Sequence, residues 1–240
     1  MKVKLFIICF CLLGCIANAA TIYVGEQRAF KTIIPALASV ANGDTVIVEK
    51  GFYKEGNIII DKSIYFLGKD LPVIDGDKKF EVISVKASNV TVKGFRIQHS
   101  GYATLDDPGG IKVYDSERVN IIDNFVHDNF FGIYIQYSKS CLIKNNRIIA
   151  FEREEQKIGN GIHCWKSDSL QIIGNFVTGN RDGIYFEFVT NSVIWRNISN
   201  DLCGISDSHL IAIYQSLNLR KLLIGSGNLA ISISSRVREF

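Results

Sequence analysis

Gly132-Ile133-Tyr134-Ile135 is one of four copies of a glycine–isoleucine pattern in the middle of the chain. The other copies are Gly110-Ile111-Lys112-Val113, Gly161-Ile162-His163-Cys164 and Gly183-Ile184-Tyr185-Phe186. Their glycines are 22, 29 and 22 residues apart, and the longer interval holds a seven-residue insertion centred on the charged stretch 152–157. A fixed period in this range is typical of repeat architectures.

Each repeat has the apolar pattern of β-strands and not that of a helix. Ile133 and Ile135 are separated by one residue, and so are Cys141 and Ile143, which is the period of a strand. No helix-like segment separates the units, so successive units are expected to stack as coils at the ~4.8 Å spacing of paired strands. The sequence therefore predicts an all-β parallel β-helix with three short strands in each coil.

An asparagine follows each glycine of the pattern after 14 residues. These asparagines are Asn124, Asn146, Asn175 and Asn197. Asparagine tolerates the left-handed backbone region and can bond its own main chain, and stacked asparagines can also bond one another. We therefore expect a structural turn ladder at the corner between the second and third strands of each coil, with Gly94 in the equivalent place of an earlier coil.

Residues 1–19 have the pattern of a secretory signal peptide. Two lysines form its positive end, residues 5–16 are an apolar run, and Ala17-Asn18-Ala19 is a small-x-small cleavage site. In the alternative, the residues up to Cys15 form a lipoprotein box that leaves Cys15 as a lipidated N-terminus. Either route predicts export to the periplasm. Loss of the two lysines lowers the formal charge from +3 to about +1, which gives no reason to expect nucleic-acid binding.

Residues 20–200 are predicted to form the repeat domain, in which the early coils are less regular. Residues 30–41 have helical apolar spacing and end at Asn42-Gly43, a helix stop signal. A short helix here would cap the N-terminal end of the core, which a solenoid must cover. Early strands are expected at 22–24, 45–48, 58–60, 64–67, 73–74, 82–85 and 90–92.

The cysteines and histidines give no metal-ligand motif. Cys141, Cys164 and Cys203 remain outside the leader, and the first two take inward positions that suit small buried hydrophobic residues. No disulfide framework is expected. The histidines are His99, His127, His163 and His209. Met1 is the only methionine, so the exported chain would lack the thioether ligand that favours Cu(I). Copper binding therefore stays open.

The residues between the inward apolar positions are expected to face outward. They form two columns, Lys112, Tyr134, His163 and Tyr185 beside Tyr114, Gln136, Trp165 and Glu187. Exposed aromatic side chains with a histidine and a carboxylate favour recognition of a protein partner or a sugar. The candidate binding face consists of Tyr134, His163, Trp165, Tyr185 and Glu187, and His163 is also the candidate metal ligand. In the alternative, the aromatic residues only stabilise the sheet.

Polysaccharide cleavage is the main enzymatic alternative for a β-helix. It needs paired carboxylates or a cluster of aspartates. The aspartates that could serve, Asp106-Asp107, Asp115, Asp123 and Asp182, fall at different corners of the predicted coils. We therefore assign no catalytic residue and expect a non-enzymatic protein, with a carbohydrate-binding or polysaccharide-cleaving β-helix as the alternative.

Several segments resemble known exported β-helix proteins. Residues 42–53 resemble the opening of pectin-lyase-like proteins, a widespread motif. More specifically, residues 159–165 (Gly-Asn-Gly-Ile-His-Cys-Trp), 181–184 (Arg-Asp-Gly-Ile) and the coil at 129–134 are similar to the NosD family, accessory proteins of nitrous oxide reductase maturation. The similarity extends over residues 21–201.

This resemblance implies a right-handed parallel β-helix in the periplasm without catalysis of its own. It also implies that the protein works with a copper chaperone and an ABC transporter, consisting of an ATPase and a membrane subunit. Together these partners would assemble the copper–sulfide centre of nitrous oxide reductase.

Residues 201–240 are expected to lie outside the repeat pattern, because neither the glycine nor the asparagine spacing continues beyond Asn200. The family that the chain resembles continues with further coils, one of which contains histidine and methionine. Codons for Cys203-Gly204-Ile205 can encode Arg-Tyr in another frame. We therefore hypothesise that the tail is a frameshift product and that the protein is C-terminally truncated, which resequencing of the gene would test.

Overall fold

The computed structural model describes residues 19–102, 107–151, 154 and 157–200, together with three short strands at 211–214, 223–224 and 232–233. Almost all of the predicted leader, including Cys15, and most of the tail, including Cys203 and His209, lie outside the described residues. In the described part of the chain, no helix has the length and apolar character needed to cross a membrane.

The chain winds through three parallel sheets, here called A, B and C. Sheet A contains β1 (Thr21–Val24), β2 (Thr45–Val48), β5 (Tyr65–Gly68), β8 (Thr91–Lys93), β11 (Asn120–Ile122), β14 (Leu142–Lys144), β17 (Gln171–Ile173), β20 (Val193–Trp195) and β23 (Leu223–Ile224). Sheet B contains β3 (Phe52–Tyr53), β6 (Val73–Asp75), β9 (Arg96–Gln98), β12 (Phe125–His127), β15 (Arg147–Ile149), β18 (Phe176–Thr178) and β21 (Ile198–Asn200). Sheet C contains β4 (Ile58–Ile60), β7 (Ile83–Val85), β10 (Gly109–Tyr114), β13 (Phe131–Gln136), β16 (Ile162–Trp165), β19 (Ile184–Glu187), β22 (Ile211–Tyr214) and β24 (Ser232–Ile233). This order is that of a parallel β-helix, as predicted.

The core consists of rows of equivalent residues from successive coils. One row contains Ile111, Ile133, Ile162 and Ile184, and a second contains Val113, Ile135, Cys164 and Phe186. All eight side chains are buried, and burial of a large apolar side chain contributes about 1.5–3 kcal/mol. Cys141 and Cys164 are free and buried, which confirms their predicted role as small core residues.

The early strands agree with their predicted bounds to within one residue, but two were missed. The missed strands, β3 and β9, have only two and three residues. An alternating pattern cannot be recognised over so short a length. Sheet pairing with the neighbouring coils fixes these strands instead.

The N-terminal helix α1 (Ile33–Ser39) is shorter than the predicted 30–41. It begins later because Phe30 still pairs with the last residue of β1. The main-chain N–H groups of Ile33 and Ile34 donate to the Glu55 carboxylate at 2.7 and 3.0 Å, which satisfies the first turn. The helix buries Ile33, Ala36 and Leu37 and contacts β1, β2 and β4. It therefore caps the N-terminal end of the core, as predicted.

The repeated asparagines stack in the corner between sheets A and B and are buried. Oδ1 of Asn146 accepts hydrogen bonds from the main-chain N–H and from Nδ2 of Asn124, both at 3.0 Å. Nδ2 of Asn146 donates to Oδ1 of Asn175 at 3.0 Å and to the main-chain oxygen of Ile121 at 2.9 Å. Asn175 and Asn197 repeat the arrangement. Each amide therefore satisfies polar groups that the corner would otherwise leave unpaired.

The left-handed residue of this corner is the one before the ladder asparagine. Positive φ angles of 54°, 54°, 66° and 54° occur at Asp123, Asn145, Gly174 and Arg196. Gly94, at φ 82°, holds the same place, and Phe95 stands at the ladder position. The expectation that Gly94 replaces a ladder asparagine is thus wrong by one position. The ladder uses the side-chain amide of asparagine and not its tolerance of left-handed backbone.

The described strands of the tail extend sheets A and C. β22 pairs with β19, β24 pairs with β22, and β23 pairs with β20, all in parallel. They do so without the glycine and asparagine spacing of the earlier coils. The domain boundary at residue 200 and the frameshift origin of the tail stay predictions.

Replacing Asn146 by alanine should destabilise the β-helix. The change removes the acceptor of the Asn124 main-chain N–H and the donor to the Ile121 carbonyl, whereas the Asn124 side chain keeps its bond to the Val92 carbonyl. Each buried group left unpaired costs about 1–3 kcal/mol. We expect the free energy of unfolding in urea to fall by about 3 kcal/mol. Asn145→Gly is the matched control, because that side chain is exposed and glycine readily adopts its left-handed backbone. An equal loss in both variants would contradict the role of the ladder.

Candidate functional site

Sheet C presents two outward columns of side chains, as the alternation predicts. The first contains Ser84, Lys112, Tyr134, His163 and Tyr185, and the second contains Tyr114, Gln136, Trp165 and Glu187. Ile162 and Cys164 point into the core between these columns. The five candidate residues therefore lie together on the adjacent strands β13, β16 and β19.

A groove with a volume of about 1080 Å³ lies over the two columns. Its walls come from the turn before β7, residues 78–81, and from the segment before β10, residues 101–102 and 107–108. Four of the candidate residues line it, namely Tyr134, His163, Trp165 and Glu187. The lining also includes the lysines Lys78, Lys79, Lys86 and Lys112. The groove thus combines an aromatic floor with charged groups of both signs.

Aromatic rings enclose the imidazole of His163. Its centroid lies 4.7 Å from that of Tyr185, on which it stacks. It also lies 4.6 Å from Tyr134 and 4.8 Å from Phe131, at tilted angles. These contacts fix the ring in one orientation. Tyr185 contacts His163 but is not among the residues that line the groove.

A buried amide fixes the tautomer of His163. Nδ2 of Asn160 lies 3.1 Å from Nδ1 of His163, and Arg181 donates to Oδ1 of Asn160 at 3.4 Å. The amide is therefore oriented with Nδ2 donating to Nδ1, so the neutral ring carries its proton on Nε2. Burial, followed by the positive charges of Arg181 and Lys112, lowers the pKa of His163 to about 3.

The seven-residue insertion of the second interval brings Asn160 to this site. The main-chain N–H of Gly159 donates to the main-chain oxygen of Phe130 at 2.9 Å. A Cβ atom at residue 159 would lie 2.6 Å from the ring of Phe131. Glycine is thus required for the insertion to pass over the aromatic cluster.

Lys112 is a buried ammonium group at the floor of the groove. Its Nζ donates to the main-chain oxygen of Asp107 at 3.1 Å and lies 4.0 Å from Oε2 of Glu81. It also lies 5.0 Å from the ring centroid of Tyr114 and 4.7 Å from that of Tyr134. A charge removed from water needs such partners, so Lys112 ties the wall of the groove to its floor.

Glu81 is the main site residue that the sequence analysis missed. Tyr114 donates its hydroxyl to Oε2 of Glu81 at 2.8 Å, and the hydroxyl of Ser84 donates to the same carboxylate. Burial raises the pKa of Glu81, although the bonds from Ser84 and Tyr114 and the charge of Lys112 oppose the rise. Glu81 follows a turn outside the repeat, so the period gave no signal for it.

A second polar cluster lies on the outer side of sheet B. Asp75, Gln98 and His127 are equivalent residues of three successive coils. Nε2 of Gln98 donates to Oδ2 of Asp75 at 2.7 Å, and Nδ1 of His99 lies 2.8 Å from the same oxygen. Burial alone would raise the pKa of Asp75, but hydrogen bonds from Gln98, the residue 77 N–H and His99 lower it. The carboxylate is therefore ionised, and Nδ1 of His99 carries the proton that it donates.

His127 and Gln98 share a hydrogen-bond donor, Arg96. The amide of Gln98 is oriented by Asp75, so its Oε1 lies 2.8 Å from Nε2 of His127. Nε of Arg96 donates to Nε2 of His127 at 2.9 Å and to Oε1 of Gln98 at 3.0 Å. Burial and then the charge of Arg96 lower the pKa of His127.

His163 should make the protein less stable as the pH falls. Its pKa of about 3 in the folded protein lies below the 6.5 of an ordinary histidine, so the unfolded state binds the proton first. Below about pH 6.5 the free energy of unfolding should fall by up to about 1.4 kcal/mol per pH unit from this group. His163→Phe keeps an aromatic ring but cannot titrate. Between about pH 7 and pH 5 the free energy of unfolding should fall more steeply in the wild type than in His163→Phe. Equal slopes in the two proteins would contradict a buried neutral imidazole.

The sequence matches a described protein family and a curated relative. The profile of the family described as "Periplasmic copper-binding protein (NosD)" matches residues 38–217. The "Probable ABC transporter binding protein NosD" of Pseudomonas aeruginosa is 26% identical over 130 residues, which are 53% of this chain and 30% of that relative. The match therefore spans about a third of the relative's length.

Solved structures with a similar fold include several pectin methylesterases. One, in complex with hexasaccharide VII, has a TM-score of 0.55 and 14% identity and covers 81% of this chain and 70% of its own. PemA from Erwinia chrysanthemi has a TM-score of 0.51 and 14% identity, with 82% and 70% covered. ORF18 of Geobacillus virus E2 has a TM-score of 0.51 and 14% identity, with 75% and 43% covered. At this identity the likeness shows the parallel β-helix fold alone. Because the family profile matches well over half of its residues, the chain belongs to the NosD family of periplasmic copper-binding proteins.

Proposed function

We propose that the chain is an exported accessory protein for assembly of the copper centre of nitrous oxide reductase. It works with an ABC transporter, through the ATPase and membrane subunit, and with a copper chaperone, and it does not catalyse a reaction itself. The family membership supports the copper-related role. The printed name of the Pseudomonas aeruginosa relative supports a transporter partner.

The groove on sheet C is the observation that carries this proposal. Its aromatic floor, buried lysine and flanking carboxylates have the composition of a surface that binds a protein partner. Trp165 is half-buried and stands at the centre of the second column, between Gln136 and Glu187. Large amphipathic side chains in such positions commonly dominate binding energy. We assign the groove to an extended segment of the transporter.

The contacts in the groove support a role without catalysis. General acid–base catalysis needs a titrating group within reach of the substrate. Here the carboxylate of Glu81 already accepts hydrogen bonds from Tyr114 and Ser84. Nδ1 of His163 accepts from Asn160, and Lys112 is held by Glu81 and Asp107. These ionisable groups therefore form the bonds that hold the walls and floor of the groove together.

His163 is better suited to partner binding than to metal binding. Its Nδ1 accepts from an amide and its Nε2 carries the proton in the arrangement described above, so neither nitrogen presents a lone pair to an ion. The buried thiols of Cys141 and Cys164 are no better suited to bind a metal ion. Burial raises the pKa of the Cys141 thiol to about 11 and raises the pKa of the Cys164 thiol well above its usual range. The prediction that His163 binds metal stays a prediction.

Oligosaccharide binding is the second candidate function. The groove is lined by the aromatic residues Tyr102, Tyr114, Tyr134 and Trp165, whose rings could stack on sugars. Lysines at its rim would favour an acidic sugar. This candidate uses the same groove, so it is tested by the same variants.

The proposed location is the periplasm, in line with the description of the family. Export by cleavage of residues 1–19 is the proposed route, with lipidation of Cys15 as the alternative. The mass of the protein recovered from the periplasm distinguishes the two.

Trp165→Ala should weaken binding of the exported chain to the detergent-solubilised ABC transporter. Truncation of an aromatic residue at the centre of an interface typically costs at least about 2 kcal/mol, so we expect roughly 30-fold weaker binding. Trp195→Ala is the matched control, because Trp195 is the other tryptophan and lies exposed on sheet A. Its affinity should stay close to that of the wild type. Biolayer interferometry measures both variants.

Unchanged affinity in Trp165→Ala, or an equal loss in both variants, would reject the groove as the transporter site. Uronic-acid and neutral oligosaccharides should be measured in the same assay. Binding of a sugar that depends on Trp165, without binding of the transporter, would establish the second candidate function instead.

A further inference from the structure

A carboxylate interrupts one of the inward apolar columns near the N-terminal end of the β-helix. The pairing of sheet A places Asp44 in the column that the next coils fill with Ile64, Val90 and Val119. Those three side chains are at most 1% exposed, and Asp44 itself is only 7% exposed. A charge removed from water costs free energy unless it is paired and hydrogen-bonded. The partners of Asp44 therefore need an explanation.

Two main-chain nitrogens surround this carboxylate. Oδ2 of Asp44 accepts the N–H of Ala41 at 2.8 Å, which fixes the carboxylate in the turn after α1. Oδ1 accepts a hydrogen bond from the main-chain nitrogen of Ala20 at 2.7 Å. The bonds from Ala41 and then Ala20 lower the pKa of Asp44, so the group is ionised. Among the described residues, no lysine, arginine or histidine side chain pairs with it.

Both main-chain groups of Ala20 are bonded to the start of β2. Its nitrogen donates to Asp44, and its oxygen accepts the N–H of Thr45 at 2.8 Å, which extends the pairing of β1 with β2 by one residue. Ala19 makes no hydrogen bond within the described part of the chain. The change from unbonded to bonded main chain in that part therefore falls at the peptide bond between Ala19 and Ala20.

That peptide bond is the one at which the leader is expected to be cut, after the small residues Ala17 and Ala19. Hydrolysis breaks the C–N bond between Ala19 and Ala20. The hydroxyl of a water molecule goes to the carbonyl carbon of Ala19, and the hydrogen goes to the nitrogen of Ala20. The new carboxyl group releases a proton and the new amine takes one up, because an α-amino group has a pKa of about 7.7–8.0. The neutral donor beside Asp44 thereby becomes an ammonium group.

We propose that Asp44 is the docking site for the new N-terminus of the exported chain, the α-ammonium of Ala20. A charge-assisted hydrogen bond replaces the neutral one. The buried carboxylate thus gains the cation that no described side chain supplies. Ala20 is exposed, so water can solvate the other N–H groups of the ammonium. Processing therefore stabilises the fold, and the uncut chain lacks this contribution.

The site distinguishes the two export routes. Lipidation leaves a chain that begins at Cys15, so residues 15–19 remain and the nitrogen of Ala20 stays a peptide N–H. Only cleavage after Ala19 creates the ammonium. The inference rests on the proposed export route and adds that the exported chain is a free periplasmic protein without a lipid anchor. It is separate from the groove on sheet C.

Two chains that differ only in where they begin test the site. One begins at Ala20 with a free amine, and the other keeps Ala17-Asn18-Ala19 in front of it. Both are released from an N-terminal fusion that leaves no other residue. Circular dichroism melting at about pH 6 should give a midpoint about 3–6 °C higher for the chain that begins at Ala20. Asp44→Asn should reduce this difference to about 1 °C or less, whereas Asp61→Asn, at an exposed aspartate, should preserve it.

The pH dependence separates the ammonium from the mere presence of extra residues. The Asp44 carboxylate should raise the pKa of the α-amino group in the folded protein above its unfolded value of about 7.7–8.0. The added stability is then fully present from about pH 5 to 7 and is lost as the pH rises through the folded pKa, so above about pH 10 the two chains should melt together. This comparison needs no substitution, so it decides the question if Asp44→Asn does not fold.

The protein recovered from the periplasm should begin at Ala20, as read by N-terminal sequencing and intact mass. Four results would overturn the inference. They are a different first residue, equal midpoints of the two chains at about pH 6, a difference that persists at high pH or in folded Asp44→Asn, and its loss in Asp61→Asn.

None of these measurements involves the transporter. Equal midpoints would reject the docking of the N-terminus and leave the groove untouched. Loss of transporter binding would reject the groove and leave the site at Asp44 untouched.

Discussion

Parallel hydrogen bonding in register between successive coils is the constraint on which the structure depends. Each strand pairs with its equivalent one coil away, at the ~4.8 Å spacing of paired strands. A residue type that recurs at one position of the repeat therefore becomes a continuous column. Inward columns have to be apolar, as at Ile133 and Ile162, or fully satisfied, as at Asn146 and Asn175. The amide ladder works because the same spacing lets one side chain bond the main chain of its own coil and the amide of the next.

The same constraint builds the floor of the groove. Tyr134, His163 and Tyr185 are equivalent residues, so their rings meet at 4.6 and 4.7 Å without any loop to bring them together. The walls have the opposite origin, because they come from segments that break the period. Glu81 lies in such a turn, and Asn160 lies after the inserted residues. A regular solenoid thus supplies a flat aromatic face, and its irregularities turn that face into a groove.

This division explains what the sequence could predict. The fold, the inward rows and the two outward columns all follow from the period, since register is inherited from one coil to the next. The predicted place of the left-handed corner residue was wrong by one position. The spacing of the asparagines does not show whether the corner uses their side-chain amides or their tolerance of left-handed backbone. Glu81 and the tautomer of His163 could not be predicted, since both depend on contacts between segments that share no repeat position. The polar cluster around His127 was missed for a different reason. Asp75, Gln98 and His127 occupy equivalent positions but are different residue types, so no repeated residue marks their column.

His163 and His127 show how weakly a sequence pattern indicates the hydrogen-bond partners of an imidazole. His163 belongs to the most regular part of the repeat, yet its neighbours are aromatic rings and an amide that donates to it. His127 has no repeated residue type around it, yet Arg96 donates to its Nε2 and Gln98, the equivalent residue one coil away, lies beside it. Because aromatic and amide columns stabilise stacked coils on their own, regularity points first to structure, and the chemistry of this β-helix has to be sought where equivalent positions carry unlike polar groups.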